Sequence, residues 1–224
     1  MKTREFAKYI GQEESLFRTL FVSLIASFLV LSVFYFLGLK NIGDFFSKYG
    51  LYIFLSILSY SLILISATHV RIYKEFACMS GMMIGMTIGM IAGFLPGFYI
   101  GATNGMFVGS VSGMAIGILF GAWNGKCCGI MGIMEGIMAG FMGGLMGAMT
   151  SIMLINDNVS LMGIIVFLIS AGILIGLNYM IYNETREAAS KTKENSFFII
   201  FWSILLTALT IWIMVFGPRS ALFT

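Results

Sequence analysis

The chain has 224 residues, of which 59% are hydrophobic and 10% are charged, and its formal net charge is +3. Soluble domains carry about 25% charged residues, so this composition excludes an ordinary soluble domain and indicates an integral membrane protein. No basic patch supports a nucleic-acid partner. The three cysteines are odd in number, which does not fit an extracellular disulfide framework.

Seven apolar segments follow a charged arm at residues 1–15, which is predicted to be cytoplasmic or interfacial. Each segment is long enough to cross a hydrocarbon core of about 30 Å. The predicted spans are Leu16–Leu39, Leu51–Val70, Phe76–Leu95, Phe98–Trp123, Gly129–Ile155, Ser160–Tyr182 and Phe197–Phe216. We therefore predict an all-α protein with about seven transmembrane helices in a single domain, residues 1–224. Residues 16–75 and 156–224 supply two peripheral helices each, and residues 76–155 a three-helix core.

Glycine occupies every fourth position from Gly81 to Gly129, and the spacing resumes at Gly132 after a step of three residues. A glycine inside a helix costs roughly 1 kcal/mol relative to alanine. In lipid, the compensating gain is the close approach of helices through small residues. The pattern predicts a glycine-zipper core, with helix packing at Gly85, Gly89, Gly93, Gly101, Gly105, Gly109, Gly113, Gly117, Gly121, Gly136, Gly140 and Gly144.

This glycine-rich stretch must fold back on itself. One helix from Gly81 to Gly129 would be about 73 Å long at 1.5 Å per residue, more than twice the hydrocarbon core of about 30 Å. Proline cannot continue the helical hydrogen bonds and disfavours helix in the preceding residue. Pro96-Gly97 and Asn124-Gly125-Lys126 are therefore the predicted breaks. Six spans with one re-entrant helix is the alternative.

Two segments of this region, Gly93–Gly109 and Gly113–Gly129, share the pattern GxxxGxxxGAxNGxxxG, which aligns Asn104 with Asn124. Internal repeats are common in transporters. Because the offset equals about one helix, we favour duplication of a packing motif over a functional repeat. Both asparagines are expected to form interhelical hydrogen bonds, and lining a water-filled pore is the alternative.

The basic residues predict the orientation of the chain. With the N-terminus in the cytoplasm, all but three of the 13 lysines and arginines fall on the cytoplasmic side, and the three outside are Lys40, Lys48 and Arg219. By the positive-inside rule, this favours a cytoplasmic N-terminus and an external C-terminus. We predict a multi-pass protein in the plasma membrane of a prokaryote.

The fifth predicted span has a glycine face and a methionine face. At 100° per residue, its glycines cluster on one side, and Glu135 projects from the other. The methionines that share this face with Glu135 are Met131, Met134, Met138, Met142, Met146, Met149 and Met153. Cys127 and Cys128 precede this span, and Cys78 falls on the same predicted side of the membrane.

Thioether and thiolate sulfurs are soft ligands that favour Cu(I) over hard cations. Methionines one turn apart offer weak successive sites, a cysteine pair offers a tighter one, and an ionisable group inside a membrane is by default a functional candidate. The predicted metal ligands are Cys78, Cys127, Cys128, Met131, Met134, Glu135, Met138 and Met142. In the alternative, the methionines only fill space against glycine grooves, the cysteines are small apolar residues, and Glu135 pairs with Lys126 or with a helix of another subunit.

Two resemblances rest on these residues. The Met134/Met138 and Met138/Met142 pairs form MxxxM motifs, as does Met86-x-x-x-Met90, and together with the glycine run they resemble Ctr-type copper-uptake proteins. The vicinal pair Cys127-Cys128 is similar to that of bacterial mercury-uptake membrane proteins. Neither family has seven spans or so long a glycine run, so each resemblance covers one helix or two. Both imply transport of a soft metal ion.

Three functions are consistent with the sequence. The first is binding or transport of a soft metal ion, Cu(I) in particular, with a copper ion as the only expected cofactor. The second is a structural or assembly subunit whose glycine faces dock helices of itself or of a partner, and the third is a small-solute channel. No enzyme is expected, because no histidine-activated nucleophile, intramembrane carboxylate pair or phosphate loop is present. Lipid, further copies and other membrane subunits are the expected partners.

Overall fold

The structure is a computed structural model that describes residues 14–37, 45–72, 78–126, 129–185 and 196–218. Within these ranges the chain forms seven α-helices and no strand. They are α1 (Glu14–Leu37), α2 (Phe45–Ile72), α3 (Cys78–Asn104), α4 (Met106–Gly125), α5 (Gly129–Met153), α6 (Val159–Thr185) and α7 (Ser196–Phe216). By length and composition, α2 to α7 can each cross a membrane, and α1 has a shorter apolar part at Phe21–Ser32. The all-α membrane class is confirmed.

The predicted break at Pro96 is wrong, because α3 runs through this residue and ends at Asn104. A proline inside a helix costs about 3 kcal/mol or more, but neighbouring helices can compensate for it in a membrane bundle. Here Gly93 and Gly97 lie on either side of the proline. A Cβ added to either glycine would be 2.7 Å from a carbonyl oxygen of α5. Close packing on α5 therefore continues on both sides of Pro96 and supports an unbroken helix.

The chain reverses instead at Gly105, between α3 and α4. Gly105 has φ 108° and ψ 171°, a conformation that is essentially restricted to glycine. Its N–H donates to the carbonyl of Gly101 at 3.1 Å, and its own carbonyl accepts from the N–H of Gly109 at 3.1 Å. A single residue thus makes the turn, and α4 runs back antiparallel to α3.

Helices α3, α4 and α5 pack against one another through five layers of small residues. α4 is antiparallel to the other two helices, and each layer takes one residue from each helix. The layers are Gly85/Gly125/Gly132, Gly89/Gly121/Gly136, Gly93/Gly117/Gly140, Gly97/Gly113/Gly144 and Gly101/Gly109/Ala148. A Cβ added to Gly117, for example, would lie 2.7 Å from the Cα of Gly93 and 2.9 Å from that of Gly140. Backbone packs directly on backbone along the axis of this three-helix core.

The remaining helices pack mainly around α2. This helix contacts α3, α6 and α7, while α1 packs on α7 and α2. Large buried side chains such as Ile57 and Leu64 fill this region, and hydroxyl groups join helices across it, with Ser27 Oγ and Ser203 Oγ 2.9 Å apart. The chief neighbours of α5 are α3 and α4, so α5 lies at the edge of the bundle.

Candidate functional site

The two faces of α5 differ completely in side-chain size. Every residue on its buried face is small, namely Gly132, Gly136, Ala139, Gly140, Gly143, Gly144, Gly147, Ala148 and Ser151. The exposed face carries all the methionines of the helix, namely Met131, Met134, Met138, Met142, Met146, Met149 and Met153. Met138 is 66% exposed and Met142 is 56% exposed. The methionine face therefore points away from the three-helix core.

The packing of α5 leaves its methionines no glycine surface to cover within the chain. The glycines of α5 are covered by the backbones of α3 and α4, as at Gly140, where an added Cβ would contact the backbone of Gly117. No groove is left for a methionine of the same helix to fill, so packing against glycine does not explain the stripe within one chain. Because glycine backbone fills the core axis, any ion path along these thioethers lies on the outer surface of α5.

Glu135 lies within the methionine face and is half-buried. It is the only residue with a formal charge in α3, α4 and α5. Met131 and Met138 are its neighbours four residues before and three residues after, which is the spacing of adjacent positions on a helix surface. At 1.5 Å per residue, Glu135 is about 9 Å along α5 from its first residue. A carboxyl group at that depth is costly and marks a functional candidate.

The cysteines are only partly covered by the structure. Cys78 begins α3, and its side chain lies outside the described residues, as do Cys127 and Cys128. Since α3 and α5 are parallel, their first residues, Cys78 and Gly129, lie at the same end of the core. Among the described residues, no group of three or more His, Cys, Asp or Glu side chains could hold a metal. The described candidate ligands are therefore thioethers and one carboxylate.

A second row of methionines on α3 is missing from the predicted site. Its members, Met79, Met83, Met86 and Met90, are all exposed. An added Cβ at Gly143 of α5 would contact the carbonyl oxygen of Met90, so α3 and α5 are adjacent where this row runs. The spacing of these residues in the sequence indicates a helix face, and the parallel packing of α3 on α5 brings Met86 of that face to about the level of Glu135 along the core.

The two asparagines of the repeat differ in their contacts. The Nδ2 group of Asn104 donates to the carbonyl oxygen of Ile213 in α7 at 2.8 Å, which is the expected interhelical bond. Its Oδ1 accepts from the hydroxyl of Thr103 at 2.8 Å. The Nδ2 group of Asn124 donates to the carbonyl of Phe120 within α4 at 3.0 Å. Asn104 thus ties the end of the core to the end of α7.

An apolar groove of about 490 Å³ runs between α4 and α7. Its lining includes Val111, Leu119, Leu205 and Trp212, and none of the predicted metal ligands. No ionisable side chain lines it, so it offers nothing to an ion. The methionine face of α5, with Glu135, is the candidate functional site.

No protein-family model, curated protein or solved structure matches this chain. Its function is therefore inferred from its own residues and their geometry. The site presents soft, neutral donors in a row on a helix surface, with one carboxylate among them. Such donors suit cations of the Cu(I) type and are poor ligands for Na⁺, K⁺, Mg²⁺ or Ca²⁺.

Proposed function

We propose that this protein binds and passes a soft metal ion, Cu(I) in the first place, along the methionine face of α5. One observation carries the proposal: the methionines of α5 are exposed on a helix whose fully buried residues are no larger than serine. Thioethers hold Cu(I) weakly enough at each position for the ion to move on, and they do not compete with water for hard cations.

The proposed orientation has the N-terminus in the cytoplasm and the C-terminus outside, in the plasma membrane of a prokaryote, as the positive-inside rule favours. The ends of α3 and α5 that begin near the cysteines then face the cytoplasm. Thiolates of Cys127 and Cys128, with Cys78, would be the tighter ligands there and would exchange the ion with Met131, the first methionine of the stripe. The glycine-zipper core serves as a rigid scaffold that holds α5 in place.

A second copy of the chain, or another membrane subunit, is the proposed cover for the methionine face. Several thioethers must converge on one soft ion, and a single helix offers only those one turn apart. In a homo-oligomer, the faces of neighbouring copies would supply the remaining donors. This assembly is part of the proposal, because a half-buried carboxyl group on the outer surface of α5 is costly against lipid alone.

The alternative is a structural or assembly subunit without transport. Exposure of the methionine face of α5, which is apolar apart from Glu135, favours it as well, since such a face can dock a partner helix. The partner would contact the methionines and not the glycines, because α3, α4 and α5 already cover each other's glycines. A small-solute channel is less well supported, because backbone fills the axis of the core.

Metal uptake tests the first proposal. Cells expressing the wild type, Met138→Leu, or the double variant Cys127→Ser/Cys128→Ser are grown with copper, and their copper content is measured. Leucine has nearly the size of methionine and usually costs under about 1.5 kcal/mol in a packed site, so Met138→Leu removes the sulfur and little else. We expect several-fold lower copper accumulation in both variants.

Met162→Leu on α6 is the matched control, because it makes the same exchange away from the stripe, and it should accumulate copper as the wild type does. Copper content that is unchanged in both test variants would contradict the metal proposal. If Met138→Trp then alters the size of the detergent-extracted complex, the structural alternative gains support. Gly140→Leu is unsuitable for that purpose, because it would disrupt the contact with Gly117 inside the chain.

A further inference from the structure

We propose that Glu135 and methionines of two helices form one cation site that prefers a monovalent soft ion to a divalent one. The thioether donors are Met131 and Met138 of α5 and Met86 of α3. This inference rests on the proposed function and adds to it the charge of the substrate and a ligand from a second helix.

The geometry of α5 places three of these groups together. Met131 and Met138 flank Glu135 at positions four residues before and three residues after, so all three side chains occupy adjacent positions on one helix surface. Both methionines are 66% exposed, and neither is held in the core. Their sulfur atoms and the carboxylate are therefore free to converge on an ion outside the backbone packing.

The glycine layers show which residues of α3 lie at the same level as Glu135 of α5. An added Cβ at Gly89 of α3 would lie 2.8 Å from the carbonyl oxygen of Gly136 in α5. Met86 is three residues from Gly89, and Glu135 is next to Gly136, so these two residues lie within about one helical turn of the same level. Met86 is 52% exposed, so it is also available to an ion on the outer surface.

The charge of the site follows from the absence of other charged residues in the three core helices. Glu135 is the only formally charged residue in α3, α4 and α5, and Lys126, which follows α4, is exposed. Thioethers are neutral, so the ligands that one chain supplies carry a single negative charge. A monovalent ion bound there gives a neutral complex, whereas a divalent ion leaves one positive charge uncompensated beside apolar surroundings, which is strongly unfavourable.

Softness and charge together define the substrate class. Thioether donors favour soft ions over Na⁺ and K⁺, and the single carboxylate favours a monovalent ion over Hg(II) or Cd(II). Cu(I) and Ag(I) satisfy both conditions. Ag(I) is the practical probe, since it needs no reductant to keep its oxidation state.

The test uses the full chain in lipid nanodiscs, with all three cysteines replaced by serine so that thiolates do not mask the site. Titrations with Ag(I) and with Hg(II) give the two affinities. We expect tighter binding of Ag(I), and a loss of at least about tenfold in Ag(I) affinity in Glu135→Gln, because opposite charges in contact interact strongly in this environment. Glu135→Asp keeps the charge and should retain most of the affinity.

Two further variants probe the ligands, with a third as a control. Met86→Leu and Met138→Leu should each weaken Ag(I) binding several-fold. Met162→Leu on α6, away from the methionine face, should not change it. Met131→Glu adds a second carboxylate one turn from Glu135 and should shift the preference towards Hg(II), because the divalent complex then becomes the neutral one.

The outcomes separate this inference from the proposed function. Ag(I) binding that is lost in Met138→Leu but unchanged in Glu135→Gln would overturn the charge-matched site and leave a soft-metal function standing. A wild-type preference for Hg(II) would do the same. Absence of Ag(I) binding even with the cysteines intact would overturn both. Elution of each variant at the wild-type volume on size exclusion verifies that it is folded.

Discussion

Replacing Gly117 by alanine tests whether the three-helix core depends on direct backbone contact. Gly117 lies in the central layer, where its neighbours are Gly93 and Gly140. The matched control is Gly172→Ala on α6, where an added Cβ would meet nothing within 4 Å. Both positions are inside helices, so the intrinsic preference of alanine over glycine is the same at each, and only the contacts differ.

The magnitude follows from the distances around the added methyl group. At Gly117 the Cβ would lie 2.7 Å from the Cα of Gly93, 2.8 Å from the carbonyl oxygen of Gly140 and 2.9 Å from its Cα. Carbon atoms prefer a separation of about 3.5–4.0 Å, so two backbones would have to move. Overpacking of this kind typically costs about 1–3 kcal/mol, and rigid backbone on two sides places Gly117 near the upper value. Alanine recovers roughly 1 kcal/mol of helix preference at either site.

We therefore expect Gly117→Ala to be about 2–3 kcal/mol less stable than Gly172→Ala. For a chain of this size, that gap corresponds to roughly 5–10 °C in melting temperature. Thermal unfolding in detergent can be followed by tryptophan fluorescence, because Trp123 of α4 and Trp202 of α7 have ring centroids 6.2 Å apart and report on the position of α4. If Gly117→Ala melts at or above the temperature of Gly172→Ala, the backbones are not in contact as described.

Three further outcomes are expected. Gly105→Ala should lose about 1–3 kcal/mol of stability, because φ 108° and ψ 171° are available essentially to glycine alone. The control is Gly176→Ala on α6, where an added Cβ would meet nothing within 4 Å, and equal melting temperatures of the two variants would contradict this. Asn104→Ala should lose about 1 kcal/mol and exchange amide hydrogens faster at the end of α7, since Ile213 loses its donor; unchanged exchange there would argue against the tie. Met138→Leu should leave the melting temperature nearly unchanged while lowering copper accumulation, and a large drop in melting would instead indicate a packing role.

The helix class and most helix bounds follow from the sequence for simple physical reasons. A helix that crosses lipid must satisfy its backbone internally, so long apolar runs are almost always helices. The predicted span Phe197–Phe216 compares with Ser196–Phe216 for α7, and Gly129–Ile155 with Gly129–Met153 for α5. Those helices end where the polar run at 156–158 or the pair Gly217-Pro218 follows, and such residues terminate helices in lipid as in water.

The predicted turn at Pro96 is wrong because the dipeptide Asn104-Gly105, and not the proline, marks the end of α3. Asn-Gly is a turn dipeptide, and the repeat places it at 104–105 and again at 124–125, where the next helix end was correctly expected. The glycine spacing alone does not distinguish a turn at Pro96 from a turn at Gly105, because a helix that folds back at either position still pairs glycines with glycines. The repeat does distinguish the two positions, because the Asn-Gly dipeptides of its two copies lie at the ends of α3, at Asn104, and of α4, at Gly125.

The candidate site was only partly accessible from the sequence. Periodicity separates the glycine and methionine faces of α5, but it does not say which face a neighbour covers. Packing of methionine against glycine grooves is therefore an open alternative from the sequence, and the contacts of Gly140 with α4 bear on it because they show that the glycine face is already covered. Met86 is absent from the predicted ligands for a similar reason, because only the parallel register of α3 and α5 brings it to about the level of Glu135 along the core.

Packing through glycine leaves the larger side chains of α5 on its outer surface. Most helices bury their larger side chains to hold their place, whereas α5 buries only small residues and is positioned by backbone contacts. Its large side chains are all at least partly exposed. On an outward apolar surface leucine would serve as well as methionine, and what methionine adds is a polarizable sulfur. A carboxyl group in the same surface adds only cost unless it meets a cation or a donor. The proposed soft-ion site would account for both residue types together, whereas lipid contact alone explains neither the sulfurs nor the carboxylate.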